Sequence, residues 1–277
     1  MTPATGTNTD CHAHIIDPVR FPLPAGGGYK PREDEHGTCG AYCDVLDRHG
    51  MKNGLLVQLS GYGTDNRPLL DAIAAYPDRF KAIGVVDSGF TDRQLEDLAR
   101  GGIVGVRFNL PSYDAQALLR PDAPRLLARI KALGWFAQVY ADDQQWQEAA
   151  PILKASGVKV LIDHFGVRDI AGGLGQKGFG AVLALGREGQ AVVKFSSLFR
   201  VSLRMGDYAD LDPFVARLVP AFTLDRIVWG SDWPFINVPK RPTYAEVAAP
   251  LDRWFPDPAD KARVLARNPQ RLFGFKD

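Results

Sequence analysis

The strongest constraint on the fold of this chain is an alternation of two kinds of segment between residues 10 and 232. Short runs rich in β-branched and apolar residues are followed by amphipathic stretches with helical periodicity. The predicted strands are Asp10–His14, Gly54–Ser60, Lys81–Asp87, Ile103–Asn109, Trp135–Tyr140, Lys159–His164, Ala191–Ser196 and Arg226–Asp232. The clearest predicted helices are Arg67–Tyr76, Asp92–Arg100, Ala123–Leu133, Gln144–Ser156 and Leu211–Pro220.

Strands that alternate with helices predict a parallel sheet, and eight such strands predict a closed (β/α)8 barrel of the TIM type. A doubly wound open sheet is the competing α/β arrangement. It would place a glycine-rich phosphate-binding turn after an early strand, whereas Gly101-Gly102 precedes a strand and Gly172-Gly173-Leu174-Gly175 follows the sixth. We therefore predict a barrel, with residues 1–277 in a single domain.

The charge balance and the cysteine content narrow the function classes. Lys and Arg number 33 against 32 Asp and Glu, a formal net charge of +1, whereas nucleic-acid-binding domains usually carry a basic excess. No run approaches the ~18 apolar residues of a membrane span, and the polar N-terminus does not resemble a signal peptide. Three cysteines are too few for a disulfide framework. We expect a cytoplasmic protein that binds neither nucleic acid nor membrane, of unknown oligomeric state.

Polar residues gather at the carboxyl ends of seven predicted strands. In a parallel barrel these ends meet at one mouth, where catalytic groups collect. Residues two apart in a strand share a face, so both members of a pair can point inward. A fold without a site would avoid this, because a buried polar group without a partner costs about 1–3 kcal/mol. These residues are His12, His14, Gln58, Ser60, Arg107, Asn109, Gln138, Tyr140, His164, Lys194, Ser196 and Asp232.

Three of the five histidines in the chain, His12, His14 and His164, end predicted strands. Asp232 ends the eighth strand and is the one carboxylate that this reading places among them. A single histidine at a strand end is usually a packed residue. Three histidines with an aspartate indicate a site in which Asp232 can act as a general base.

Three ordered motifs resemble the amidohydrolase superfamily: Asp10-Cys11-His12-Ala13-His14, Asp163-His164-Phe165-Gly166 and Trp229-Gly230-Ser231-Asp232-Trp233-Pro234. Supporting segments are Tyr29-Lys30-Pro31, Val57-Gln58-Leu59-Ser60-Gly61-Tyr62-Gly63 and Gly105-Val106-Arg107-Phe108-Asn109. Within the superfamily the chain is most similar to a branch of lactone hydrolases that includes 2-pyrone-4,6-dicarboxylate lactonases and sugar-acid lactonases. The resemblance covers almost the whole chain.

The resemblance implies hydrolysis of a small carboxylated lactone of the pyrone, muconolactone or sugar-acid type. Asp232 would activate water, and His12, His14 and His164 would donate hydrogen bonds to the developing oxyanion. The residues that match substrate-binding positions of the branch are Tyr29, Ser60, Arg107 and Tyr140, and Arg200 lies near the place of a further arginine. Tyr113 and Val167 stand where dicarboxylate-hydrolysing members carry arginine, and Arg168 is displaced by one residue. These differences from the dicarboxylate-hydrolysing members favour a smaller, singly charged or sugar-derived lactone as the substrate.

The ligand set favours a site without metal. Metal-dependent members of the superfamily add a histidine from the fifth strand, where this chain has Gln138 and Tyr140. Arg107 is a better neighbour for a carboxylate than for a divalent cation. We expect neither a metal nor another cofactor. The alternative is a divalent metal such as zinc on His12, His14, His164 and Asp232.

Three other functions stay open. A metal-dependent decarboxylase of an aromatic or unsaturated acid would use the same histidine pair and aspartate. A lactone isomerase would use the same residues without net addition of water. A non-catalytic barrel that binds a small acid would show saturable affinity without turnover, and its affinity should survive loss of Asp232.

Overall fold

The computed structural model describes residues 7–24, 29–111 and 116–276. Its eight parallel strands lie in one sheet in chain order. They are β1 (Thr9–Ala13), β2 (Asn53–Val57), β3 (Phe80–Gly84), β4 (Ile103–Asn109), β5 (Phe136–Tyr140), β6 (Lys159–Ile162), β7 (Ala191–Ser196) and β8 (Ile227–Gly230). The His14 N–H donates to the Trp233 carbonyl and the Asp232 N–H to the His12 carbonyl, both at 2.8 Å, which joins the last strand to the first. The predicted (β/α)8 barrel is confirmed.

Helices follow the strands, and the five predicted ones are present with small shifts at their ends. Side-chain caps fix several starts: Thr91 accepts from the Gln94 N–H, and Asp142 accepts from the Gln145 N–H. The helices are α1 (Cys39–Arg48), α2 (Arg67–Ala75), α3 (Asp92–Arg100), α4 (Ala123–Ala132), α5 (Asp143–Ser156), α6 (Lys177–Arg187), α7 (Leu198–Val201), α8 (Asp212–Phe222), α9 (Tyr244–Ala248), α10 (Pro250–Trp254), α11 (Pro258–Ala262) and α12 (Asn268–Phe273).

No helix in the described ranges combines the length and the apolar character that a membrane crossing requires. The cytoplasmic location and the assignment of residues 1–277 to one domain stay predictions.

Several strands end earlier than the sequence pattern predicts. β1, β2, β3, β6 and β8 stop one to three residues short. Beyond β6 and β8 the backbone enters the left-handed region, with φ of 51° at His164 and 64° at Asp232. A residue in that region cannot continue a strand. The site residues His14, Ser60, His164 and Asp232 therefore lie in the turns that follow their strands.

The apolar residues inside the barrel form a floor beneath the site. They are Cys11, Leu55, Val57, Ile83, Phe136, Leu161, Val192 and Val228, and Phe273 and Phe275 from the end of the chain belong to the same cluster. A larger cluster fills the space between the strands and the helices. Polar side chains begin one layer above the floor, at the carboxyl ends of the strands, which is where catalytic sites of such barrels lie.

Candidate active site

A cavity of about 370 Å³ opens at the carboxyl ends of the strands. Eight of the nine residues predicted for the site line it, and His12 lies buried beside it. The lining residues are His14, Tyr29, Leu59, Ser60, Gly61, Arg107, Asn109, Tyr140, His164, Arg168, Arg200, Asp232, Ile236 and Asn237. A second cavity of about 370 Å³ shares Arg107 and Asn109 with it, but no histidine lines that cavity in the described part of the chain.

The two oxygens of the Asp232 carboxylate have different neighbours. Oδ2 accepts hydrogen bonds from Ser197 Oγ at 2.5 Å and from the Arg200 guanidinium at 3.4 Å. Oδ1 faces His14 Nε2 at 3.2 Å and His12 Nε2 at 3.6 Å. Burial alone would raise the pKa of Asp232, but the hydrogen bond from His14 and the charge of Arg200 outweigh it and hold that pKa well below its usual value. Asp232 is therefore an ionised, oriented carboxylate.

An irregularity in β1 places adjacent residues on the inside of the barrel. Three steps along β1, from Asp10 to Ala13, pair with two steps along β2. Such a bulge changes which face successive side chains occupy. Cys11 consequently belongs to the apolar floor, while the next residue, His12, reaches the polar layer beside Asp163 and Lys194.

The histidines are held by hydrogen bonds at one ring nitrogen each. His14 Nδ1 contacts the Val57 carbonyl at 2.8 Å, and His164 Nδ1 contacts Ser196 Oγ at 2.9 Å. Burial, followed by the charge of Lys194, holds the pKa of His12 well below its usual value, and burial lowers the pKa of His164 to about 4. His12 and His164 are therefore neutral imidazoles near neutral pH.

A second carboxylate, Asp163, lies under the histidines, so the sequence interpretation of Asp232 as the one carboxylate among them was wrong. Asp163 Oδ1 is 3.3 Å from His12 Nδ1 and 3.7 Å from Lys194 Nζ. Its Oδ2 accepts from Gln138 at 3.0 Å and from Arg107 at 3.4 Å. Burial opposes its ionisation, but His12 and Lys194 hold its pKa well below the usual value. The available signal was the alternation in β6, because Leu161 points inward and Asp163 is two residues on.

Lys194 is a fully buried cation below the cavity. Its ammonium donates to Gln138 Oε1 at 2.7 Å and lies 3.4 Å from His12 Nδ1. Burial lowers the pKa of Lys194 to about 8. Gln58, by contrast, does not join the site: its amide donates to the Gly63 and Asp65 carbonyls and holds the loop after β2.

Three guanidinium groups surround Tyr140. Arg107, Arg168 and Arg200 all lower the pKa of Tyr140 by their charge, although burial raises it overall. Arg107 also forms an ion pair with Asp163, and Arg200 forms one with Asp232. Exposed Arg168 makes no hydrogen bond or ion pair with any described residue.

The position of Arg168 weakens the sequence argument against a doubly charged substrate. That argument treated Arg168 as displaced by one residue from the position of the expected arginine. The structure nevertheless places Arg168 in the lining of the cavity. Tyr113, the other departure, lies outside the described residues.

The uncharged residues predicted to bind substrate are also at the cavity. Ser60 Oγ accepts from the Asn109 amide at 2.8 Å, which leaves the serine proton for another acceptor. The Tyr140 ring contacts the edge of the His164 ring, with 5.0 Å between centroids. The Tyr29 hydroxyl donates to the carboxylate of Glu35.

Two groups of described residues have the donor atoms for a metal ion: His12, His14 and Asp232, and His12, Asp163 and His164. Within each group the donor atoms lie within 4.8 Å of one another. Among the described residues His12 Nε2 has no hydrogen-bond partner, so the first group fits a divalent cation. The ammonium of Lys194 and the guanidinium of Arg200 oppose it, because both contact members of that group.

An eight-stranded parallel barrel with a His-x-His pair on its first strand, a histidine after the sixth and an aspartate after the eighth defines an amidohydrolase-type enzyme. Residues 9–275 match the family model described as Amidohydrolase, so the chain belongs to this family.

Relatives within the family act on lactones. The chain is 28% identical to a 2-pyrone-4,6-dicarboxylate hydrolase of Comamonas testosteroni, covering 95% of this chain and 89% of the relative. It is also 28% identical to a D-galactarolactone isomerase of Agrobacterium fabrum, covering 95% and 90%. A crystal structure of a probable 2-pyrone-4,6-dicarboxylic acid hydrolase from Acinetobacter baumannii, with citric acid bound, superposes with a TM-score of 0.87 at 30% identity, covering 97% of this chain and 100% of that one.

Proposed function

We propose that this enzyme hydrolyses a carboxylate-bearing lactone, with Asp232 as the base that activates water and without a metal ion. The observation that carries the proposal is the asymmetry of the Asp232 carboxylate. Ser197 and Arg200 occupy Oδ2, so Oδ1 is the oxygen directed at the histidines and available to a water proton. The similarity to a 2-pyrone-4,6-dicarboxylate hydrolase supports the reaction class.

In the proposed reaction, Asp232 Oδ1 takes a proton from water while the water oxygen bonds to the ring carbonyl carbon. The electron pair of the carbonyl π bond moves to the carbonyl oxygen, which becomes an oxyanion. When this intermediate collapses, the ring C–O bond breaks. The departing ring oxygen takes the proton from Asp232, which yields a hydroxy acid and restores the carboxylate.

The proposed donor to the oxyanion is His12 Nε2. His12 Nδ1 faces both the Lys194 ammonium at 3.4 Å, which can only donate, and the Asp163 carboxylate at 3.3 Å, which can only accept. Donation from Lys194 requires a lone pair on Nδ1, and the proton of the neutral ring then lies on Nε2. In that tautomer Nε2–H is a donor without a hydrogen-bond partner among the described residues, as oxyanion stabilisation requires. The Val57 carbonyl can only accept, so His14 Nδ1 donates to it.

The arginines account for substrate anchoring. Arg168, which has no partner among the described residues, is the best candidate for a direct ion pair with a substrate carboxylate. Arg107 and Arg200 add positive charge on either side of Tyr140. Carboxylated pyrones, muconolactones and sugar-acid lactones all carry the negative charge that these arginines would bind.

A metal-dependent mechanism is the alternative. A divalent metal on His12, His14, His164 and Asp232 would polarise the lactone carbonyl as a Lewis acid when bound. Isomerisation is the second candidate reaction, because one relative is a lactone isomerase and the same residues would serve it.

Acid release tests the proposal, since each hydrolysed lactone yields a carboxylic acid that ionises near neutral pH. Chelator-treated enzyme would be mixed with pyrone, muconolactone and sugar-acid lactones in weak buffer with a pH indicator. Asp232→Asn is the matched variant, because the amide keeps the shape of the side chain but cannot take the proton. We expect acid release under chelator and a loss in kcat of about 10²–10⁴-fold in the variant.

The other outcomes identify the alternatives. Activity that disappears under chelator and returns with zinc or manganese contradicts the metal-independent mechanism. Formation of a ring isomer without acid indicates an isomerase, and release of carbon dioxide indicates a decarboxylase. Saturable binding without turnover, retained in Asp232→Asn, indicates a binding barrel.

A further inference from the structure

Glu35 is a buried carboxylate that takes no part in the reaction described above. It lies in the charged segment after β1, where Glu33 and Asp34 are exposed but Glu35 is fully buried. Burying a charged group is costly unless hydrogen bonds and opposite charge compensate. The partners of Glu35 therefore indicate what the residue holds in place.

Both oxygens of Glu35 are occupied. Oε1 accepts from the Asn237 N–H at 2.7 Å and lies 2.9 Å from the Arg32 guanidinium. Oε2 accepts from the Arg32 N–H at 2.8 Å and from the Tyr29 hydroxyl. Burial opposes ionisation, but the hydrogen bonds from Tyr29, Arg32 and Asn237 hold the pKa of Glu35 below its usual value. A single ionised side chain thus connects the segment after β1 with the turn after β8.

Both connected segments form walls of the cavity. Tyr29 comes from the first segment, and Ile236 and Asn237 come from the second. Asn237 adopts a left-handed backbone with φ of 54°, and Glu35 holds its N–H. On the other side of the turn, the Ile236 carbonyl accepts from Arg200 at 3.0 Å. The wall is therefore fixed from outside by Glu35 and from inside by Arg200.

We propose that Glu35 is a positioning residue that holds Tyr29 and the Ile236–Asn237 turn against the substrate, and so sets substrate affinity while leaving the chemical step to Asp232. This inference rests on the proposed lactone hydrolysis. It predicts an effect on KM, because Tyr29 and Asn237 line the cavity. None of the contacts of Asp232 with Ser197 and the histidines includes Glu35, so we expect them to persist when Glu35 changes.

The test compares Glu35→Gln with Glu33→Gln. Both variants lose one negative charge in the same helical turn, but only Glu35 is buried and bonded to the cavity wall. We expect Glu35→Gln to raise KM about tenfold, the effect of weakening one or two hydrogen bonds, with kcat changed by less than about twofold. Glu33→Gln should match the wild type in both constants. Thermal unfolding of each variant would verify that the comparison concerns folded enzyme.

A double-mutant cycle with Tyr29→Phe distinguishes positioning from general loosening. Tyr29→Phe removes the hydrogen bond between Tyr29 and Glu35 but leaves the contacts of the carboxylate with Arg32 and Asn237, and it serves if Glu35→Gln does not fold. We expect the double variant to raise KM less than the product of the two single effects, because the two residues share the hydrogen bond between Tyr29 and Glu35. Fully independent effects, or a fall in kcat with unchanged KM, would overturn the inference.

A second measurement distinguishes failure of this inference from failure of the proposed function. If the wild type opens no lactone, the affinity for citrate, measured by calorimetry, replaces KM as the readout. Weaker citrate binding in Glu35→Gln but not in Glu33→Gln would still support the positioning role. Equal citrate affinity in all three proteins would contradict it.

Discussion

The reactive side chains of this site are each held by a neighbour that does not itself face the cavity. Ser197 is fully buried, adopts a left-handed backbone with φ of 58°, and donates to Asp232 Oδ2. Ser196 holds His164, and Lys194 lies against His12. Such supporting contacts fix the geometry before substrate arrives, which is what a preorganised site requires.

Replacing Ser197 with alanine tests this support. Ser197→Ala should lower kcat about 10- to 100-fold, because the Asp232 carboxylate loses its shortest hydrogen bond and a contact to a charged group is worth about 1.5–3 kcal/mol. Steady-state kinetics would measure it. In the Asp232→Asn background the same replacement should add little, since the two residues act as a unit. Wild-type kcat in Ser197→Ala would show that the hydrogen bond does not matter for the reaction.

Replacing Arg168 tests whether its guanidinium binds a carboxylate of the substrate. Arg168→Gln should raise KM about tenfold with kcat nearly unchanged, because it removes an ion pair made equally in the ground state and the transition state. Arg217→Gln is the matched control, since Arg217 is also exposed but lies on α8. An unchanged KM in Arg168→Gln would remove Arg168 from the substrate-binding set.

At the scale of secondary-structure elements, the left-handed residues after β6 decide which side chains reach the site. Alternation from Leu161 directs Asp163 inward, and a strand that continued to His164 would direct the histidine outward. The φ of 51° at His164 and 61° at Phe165 turns the chain instead, so both Asp163 and His164 contribute. The sequence interpretation took His164 as the inward residue at the end of β6, and alternation from His164 directs its neighbour Asp163 outward; this is why Asp163 was missed.

Helix α6 offers a test of packing between elements. A methyl group at Gly178 would lie 2.2 Å from the Asp143 carbonyl oxygen of α5, whereas one at Gly180 would have no heavy atom within 4 Å. Gly178→Ala should therefore destabilise the protein by about 1–3 kcal/mol through overpacking. Gly180→Ala should stabilise it by up to about 1 kcal/mol, because alanine favours a helix interior. Chemical denaturation measures both, and equal effects would contradict the close approach of α5 and α6.

On the scale of the whole molecule, the barrel and most of the cavity lining could be predicted from the sequence. Eight β-branched runs were sufficient for the strands, and polar residues at their ends located His14, Arg107, Tyr140 and Asp232 at one mouth. Helix α6 was not predicted, because its three glycines disfavour a helix and its packing against α5, α8 and β7 stabilises it. Glu35 was also missed, since a charged segment gives no sign that one of its carboxylates is buried.

The fold alone does not select among the reactions open to the family, because a barrel of this kind supports many chemistries. Hydrolysis adds the oxygen of water to the substrate, isomerisation adds none, and decarboxylation removes carbon dioxide. The fate of the oxygen atom therefore separates the three reactions directly.

The most direct measurement is a single turnover of metal-depleted enzyme with a carboxylated lactone in ¹⁸O-labelled water, followed by mass spectrometry of the product. Our account predicts one ¹⁸O atom in the new carboxylate, formed at the rate seen before metal removal, and a strongly reduced rate in Asp232→Asn. An isomeric product without label, or turnover that depends on added metal, would contradict Asp232-activated hydrolysis without a metal.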